Sequence, residues 1–144
     1  MILVPTKDIG MLEDKIRPML DKAFDNTSDP QIDTADHWIG LLKVGAVFCF
    51  ISNNFEFLCI CSKTSDIFYI NVVAGSNLKE HTKNGFEDVL SFANFLDCKM
   101  IISLARIGAA KELKKKGFKE VKYIKKHVTM IKVIGDSQTS SAGR

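Results

Sequence analysis

An α/β (α+β) domain with the element order β-α-α-β-β-β-α-β-α-β-β is predicted by three features of the 144-residue sequence. Three strand-like runs, Ala46 to Ser52, Phe55 to Cys61 and Ile67 to Ala74, follow one another across the turn sequences Asn53-Asn54 and Lys63-Thr64-Ser65-Asp66, which reads as an antiparallel meander. Apolar residues recur at helical spacing before this meander and again after it. Apolar residues make up 46% of the chain and charged residues 26%, enough to fill one core and too apolar for a disordered chain. The length suits one domain over residues 1–134, followed by a flexible tail, 135–144, that lacks large apolar residues.

Taken in order, Ile2-Leu3-Val4 is a short first strand that Pro5 ends, since proline cannot donate to a ladder. Ile9, Leu12, Ile16, Met19, Leu20 and Phe24 mark a helical stretch that Pro18 bends or divides, giving one kinked helix or two short ones. Asp25 to Asp33 is a loop, after which Asp33 or Thr34 caps a helix running to about Lys43, with Gly45 as its stop and Trp38, Leu41 and Leu42 facing the core.

After the meander, Gly75 to Lys83 reads as a loop, with Asn84 as N-cap and Glu87 at N3 of a helix striped by Phe86, Val89, Leu90, Ala93 and Leu96. Lys99 to Ala105 is then a buried strand and Ile107 to Lys116 a helix stopped by Gly117. Phe118 to Ile124 and His127 to Ile134 form a terminal hairpin. No apolar run approaches the roughly 20 residues of a membrane span, and no signal peptide opens the chain, so a protein without a membrane span, made in the cytoplasm, is expected.

Cys49, Cys59, Cys61 and Cys98 all lie in apolar runs. Buried free thiols are the expected state, with a disulfide or a metal site as the lesser alternatives. His37, His81 and His127 are scattered without ligand spacing, and no metal site is expected. The charge is unevenly spread: residues 1–78 hold six Lys/Arg against ten Asp/Glu, and residues 79–132 hold thirteen against six. A basic half can hold an anionic ligand, an acidic partner or nucleic acid, although Tyr123 is the one aromatic near the Lys111 to Lys132 cluster. A solvated helix face accounts for the same residues.

The element order, together with Ala109-Ala110-Lys111-Glu112-Leu113-Lys114-Lys115-Lys116-Gly117-Phe118, resembles the GNAT (N-acetyltransferase) fold, whose late helix carries an Ala and ends in Lys-x-Gly-Phe. Ala109, Lys115, Gly117 and Phe118 match that pattern, and a helix capped by a left-handed glycine would demand the last two on structural grounds alone. The resemblance implies a mixed, mostly antiparallel sheet flanked by helices. It also implies an acetyl-CoA site where the fourth strand splays from the fifth, with the pyrophosphate on backbone amides at the next helix.

The family's phosphate loop, Gln/Arg-x-x-Gly-x-Gly/Ala, falls on His81, Asn84 and Phe86, none of which matches. The cofactor residues implied are Val72, Val73, Lys79, His81, Lys83, Asn84 and Gly85. The family's general-acid Tyr falls on Leu113 and its preceding Asn on Arg106. The fourth strand offers Tyr69 and Asn71 but no carboxylate, which leaves Glu56 and Asp66 as remote bases and the catalytic residues unassigned.

Length, the Pro5-Thr6-Lys7 opening and the eroded loop are similar to the small GNAT-like proteins of short-tailed bacteriophages, including an internal protein tied to virion assembly and genome ejection. That resemblance implies a noncatalytic or degenerate protein acting through contacts with other virion or host proteins, without a cofactor and carried in the virion. The alternative it leaves is an acetyl-CoA-dependent N-acetyltransferase acting on an amine.

Overall fold

The computed structural model describes residues 1–25, 33–124 and 127–135. Seven strands form one sheet in the order β1-β2-β3-β4-β5-β7-β6: β1 (Ile2–Leu3), β2 (Phe48–Ile51), β3 (Phe57–Thr64), β4 (Ile67–Gly75), β5 (Met100–Arg106), β6 (Lys119–Ile124) and β7 (His127–Val133). Neighbours are antiparallel except for β4 and β5, which run parallel. Helices α1 (Ile9–Ala23) and α2 (Ala35–Lys43) contribute to one core, while α4 (Glu87–Phe95) and α5 (Ile107–Lys115) contribute to the other, with α3 (Leu78–Gly85) beside α5. No helix among the described residues is long and apolar enough to cross a membrane.

Strand β3 is apolar on both faces because it lies between the two cores: Leu58 and Ile60 meet α1 and α2, while Phe57, Cys59 and Cys61 join the cluster under α4 and α5. Strand β4 changes sides within its length. Ile60 pairs with Val72 but Cys61 pairs with Ile70, so Asn71 is an extra residue, a bulge. Phe68 and Ile70 therefore enter one core, and Val72 and Ala74 the other.

The first helix is a single element through Pro18. The proline removes one intrahelical bond and costs roughly 3 kcal/mol in a helix interior, but Ile9, Ile16 and Leu20, all buried, hold the helix to the sheet on both sides of it. Helix α2 begins as expected at Thr34, whose hydroxyl accepts from His37 N at 3.1 Å. Thr34→Ala should therefore cost about 1 kcal/mol in denaturant unfolding. Ile39 and Leu42 carry its buried face, whereas Trp38 and Leu41 are half-buried.

The segment after β4 corrects the expected loop. Leu78–Gly85 is helical and follows a two-residue turn, so Asn84 stands inside a helix and not at its cap. Its polar composition hid the stripe: Leu78, Thr82, Phe86, Val89 and Ala93 face inward at successive intervals of three or four once Thr82, which is buried, is counted. Gly135, assigned to the tail by composition, is packed against Lys99 and donates to its carbonyl at 3.3 Å. The expected loop over 26–32, the tail from 136 onward and the side chain of Arg106 lie outside the described residues.

All four cysteines are free and buried. Burial, with Cys59 nearby, pushes the Cys49 thiol up to about 12, and burial together with Cys59 also raises that of Cys61. Thiol reagents should therefore modify the native protein only as it unfolds, which a titration with and without denaturant would read.

Candidate functional site

The bulge at Asn71 coincides with the point where β4 parts from β5. β4 and β5 pair only over Ile67–Ile70 and Met100–Ser103, and beyond Asn71 each strand runs on without the other. The end of β4 that lacks a β5 partner borders a notch of about 90 Å³, lined by Lys22 and Ala23 of α1, by Val73, Ala74 and Gly75, and by Leu78 at the start of α3. A strand edge of this kind offers backbone N–H and C=O groups to an extended ligand.

Gly75 ends β4 with φ +117°, and a Cβ there would stand 1.9 Å from the carbonyl oxygen of Glu56. That carbonyl accepts from Ser76 N at 2.8 Å. Asn77 follows in the left-handed region, φ 55°, and its Nδ2 donates to Glu56 Oε1 at 3.1 Å. His81, one turn into α3, brings Nε2 to the same oxygen at 2.9 Å, and its ring stacks on Phe57 with centroids 5.2 Å apart. The His81 bond, then that of Asn77, holds the Glu56 carboxyl below its ordinary range, so it is ionised at neutral pH.

The turn carrying Glu56 is itself tightly bonded. Ser52 is buried, and its hydroxyl accepts from Glu56 N and Phe57 N, each at 3.0 Å, while donating to Asn54 Oδ1 at 2.7 Å. An ionised carboxylate, an imidazole and an amide thus converge on the strained turn that closes the notch. Glu56 was named in the sequence only as a remote base and His81 only as a phosphate ligand. Nothing in their 25-residue separation reveals that they meet.

The other residues singled out by sequence are dispersed. Val72 is buried in the core of α1 and α2, while Val73 lines the notch. Lys79 is exposed in the first turn of α3. Lys83, Asn84 and Gly85 sit at the far end of that helix, where Lys83 O accepts from Lys116 Nζ at 2.9 Å and Asn84 donates to Glu80. Leu113 is buried in the core, away from solvent. Phe86 is buried beneath α4 in one cluster with Ile101 and Ala105 of β5, and Phe92 packs edge-on against Phe48, Phe50 and Phe68.

Part of the basic half gathers at a second cleft of about 270 Å³, lined by Lys83, Glu87, Leu90, Glu112, Lys115, Lys116 and Lys132. Its charges are largely paired within the protein: Lys116 with Glu87 at 2.9 Å, Lys115 with the buried Glu112 at 3.4 Å, and Lys132 with the carbonyl of Lys116. Tyr123 donates to Glu120 at 2.5 Å.

Neither a protein-family model nor a curated protein sequence matches the chain. Solved structures do. An aminoglycoside 6'-acetyltransferase type Ii is similar with a TM-score of 0.66 at 10% identity, over 92% of this chain and 97% of that one. Ard1 from Thermoplasma volcanium gives 0.64 at 15% identity, over 92% and 95%. The PaiA N-acetyltransferase from Thermoplasma acidophilum, solved in complex with coenzyme A, gives 0.60 at 8% identity, over 93% and 100%. With this strand order, the parallel β4–β5 pair and helices on both faces, the chain has the fold of the GNAT N-acetyltransferases.

Proposed function

We propose that the protein transfers an acetyl group from acetyl-CoA to an amine, with the β4 edge that parts from β5 and the notch at its end holding the thioester arm. The observation that carries this reading is the β4 edge from Val72 to Gly75, which has no β5 partner beyond the bulge at Asn71 and whose end lines the notch. A pantetheine chain is extended and rich in amides, and adding it to such an edge satisfies its hydrogen bonds as a further strand would. Two similar structures are described as complexes with coenzyme A.

The fit is better for the arm than for the phosphates. Lys79 and the first amides of α3 supply positive potential, but a two-residue turn leaves no glycine loop to cradle a pyrophosphate, and Lys83, Asn84 and Gly85 lie at the far end of the helix. When bound, the cofactor would supply an activated acyl group. The chain's own part is to orient it along Val73, Gly75 and Leu78.

The short turn, and Leu113 where a general-acid Tyr would be expected, favour a second reading: a degenerate, noncatalytic protein of this fold that works through contacts with other proteins, of virion or host. Titration calorimetry with acetyl-CoA and CoA separates the two. Micromolar binding by the wild type, lost in Val73→Trp, which fills the notch, is the expected outcome. Absence of binding would leave the contact-making role.

A further inference from the structure

We infer that the free edge of β1 and the apolar pocket beside it form a docking site for an extended peptide, which places one Leu- or Phe-sized side chain in the pocket and a basic residue against Asp8. The pocket, about 160 Å³, shares no residue with the notch. Ile2, Val4, Leu12, Ile51 and Phe55 line it, with Asp8 in its wall. An apolar cavity of about 150 Å³ takes a benzene-sized ring, so one branched or aromatic side chain fits.

The strand beside the pocket has backbone groups to offer. Ile2 and Leu3 pair with Ile51 and Phe50, and Val4 N donates to Cys49 O at 2.8 Å, so Ile2 and Val4 turn their backbone groups towards β2. In an antiparallel ladder the residue between them points the other way. The N–H and C=O of Leu3 therefore face outward, without a partner among the described residues. Side chains alternate as well: Ile2 and Val4 stand on the pocket side and Leu3 on the other. A peptide strand pairing with Leu3 would thus carry its next residue, opposite Ile2 or Val4, over the pocket.

Phe55 is a second, independent observation. It holds φ 57°, a region in which a bulky residue is an outlier, and its ring stays 41% exposed in the pocket wall. The turn enforces this: Phe55 N donates to Ser52 O, and Ser52 Oγ accepts from Glu56 N and Phe57 N, each at 3.0 Å. Strained backbone of this kind is found at ligand clamps, and packing gives no reason to keep an exposed ring where glycine would relax the turn. Ile2, 52% exposed, continues the same apolar wall.

Charge selects among peptides. The half-buried Asp8 carboxylate has no hydrogen bond or ion pair among the described residues, while Lys15 is taken up over the Phe55 ring at 5.9 Å. Residues 1–78 also carry ten Asp/Glu against six Lys/Arg. The complement is a Lys or Arg two positions from the apolar anchor, on the same face of the bound strand.

The probe is the acetylated, amidated heptapeptide Thr-Lys-Thr-Leu-Thr-Lys-Thr, whose lysines share a face with its leucine. Titrated into the nitrogen-15-labelled full chain, it should shift the amides of Leu3, Leu12 and Phe55 and leave Val73 and Gly75 unmoved. Aspartate in place of the central leucine should weaken binding about 10-fold or more. N-methylation of the threonines beside the leucine, the residues that pair with Leu3, should weaken it about 3–10-fold, and Asp8→Asn about 3-fold. Phe55→Gly removes one wall while relaxing the backbone, so circular dichroism should match the wild type and binding should fall about 10-fold.

Equal binding of the leucine and aspartate peptides, undiminished binding by folded Phe55→Gly, shifts confined to the notch or to the lysine-lined cleft, or no binding at millimolar peptide would each overturn the assignment. A concentration-dependent dimer, seen by sedimentation and abolished by Phe55→Gly, would overturn it in favour of a second copy of this chain on the same face. Binding here does not depend on acetyl transfer, so a chain that takes no acetyl-CoA leaves the docking site standing.

Discussion

Replacing Gly75 with alanine is expected to destabilise the protein by about 3 kcal/mol or more. The added Cβ would stand 1.9 Å from the Glu56 carbonyl oxygen and 3.0 Å from Phe57 Cα, both backbone atoms of the paired strand, so no side chain can swing aside. A φ of +117° adds its own penalty for any residue with a Cβ. Backbone strain of this kind costs ~1–3 kcal/mol, and forced overpacking costs a similar amount. The melting midpoint should fall by roughly 6–12 °C for a domain of this size, read by calorimetry. Because the same collision pushes Glu56 away from Asn77 and His81, the Glu56 carboxyl should titrate closer to its ordinary range, read by NMR. An unchanged midpoint would mean that the β4–α3 turn is built differently.

Phe68→Ala should cost about 3–5 kcal/mol, the usual range for emptying a buried aromatic site. Phe68 is fully buried beyond the bulge on β4, with Phe48 stacked at 6.4 Å and Phe92 edge-on at 6.1 Å. Collapse of the neighbours is restricted, because Phe92 already meets Phe48 at 5.0 Å and Phe50 at 5.5 Å. Urea unfolding should show the loss as a lower midpoint with an unchanged slope. The variant separates stability from the site: it touches neither the notch nor Glu56, so at temperatures where it stays folded its affinity for acetyl-CoA should match the wild type. A change in both would mean that the two halves of β4 are mechanically coupled.

The amino-acid pattern was informative where burial is one-sided. Helix α1 was marked by Ile9, Ile16 and Leu20, α2 by its Thr34 cap, and the meander by its turn residues, because each alternates between core and solvent or carries a local cap. The bulge at Asn71 was not legible. Phe68, Ile70, Val72 and Ala74 keep an unbroken period of two, which reads as one face, and a strand buried on both sides has no polar face whose change would betray the shift. A lone Asn in an apolar strand was the available signal. Helix α3 was missed because Thr82 and Gly85 replace the apolar residues its inner face would usually carry.

The candidate site was legible only in pieces. His81 and Glu56 were noted for separate reasons, and what joins them is the two-residue turn at Ser76-Asn77, whose shortness cannot be seen without knowing where β4 stops. Where sequence placed one helix capped at Asn84, a separate helix, α3, precedes α4 and starts at Leu78, which puts its first amides near Glu56 instead of Lys83.

The bulge divides β4 into two inheritances. Residues on its N-terminal side answer to the aromatic cluster, and those on its C-terminal side answer to α1 and α2, so mutations in the two halves should drift under different neighbours although they share one strand. Asn71 then acts as a phase marker: deleting it would keep Cys61 opposite Ile70 and Ile60 opposite Val72, so each apolar residue would hold its own side of the sheet while the irregularity at which β4 parts from β5 was lost.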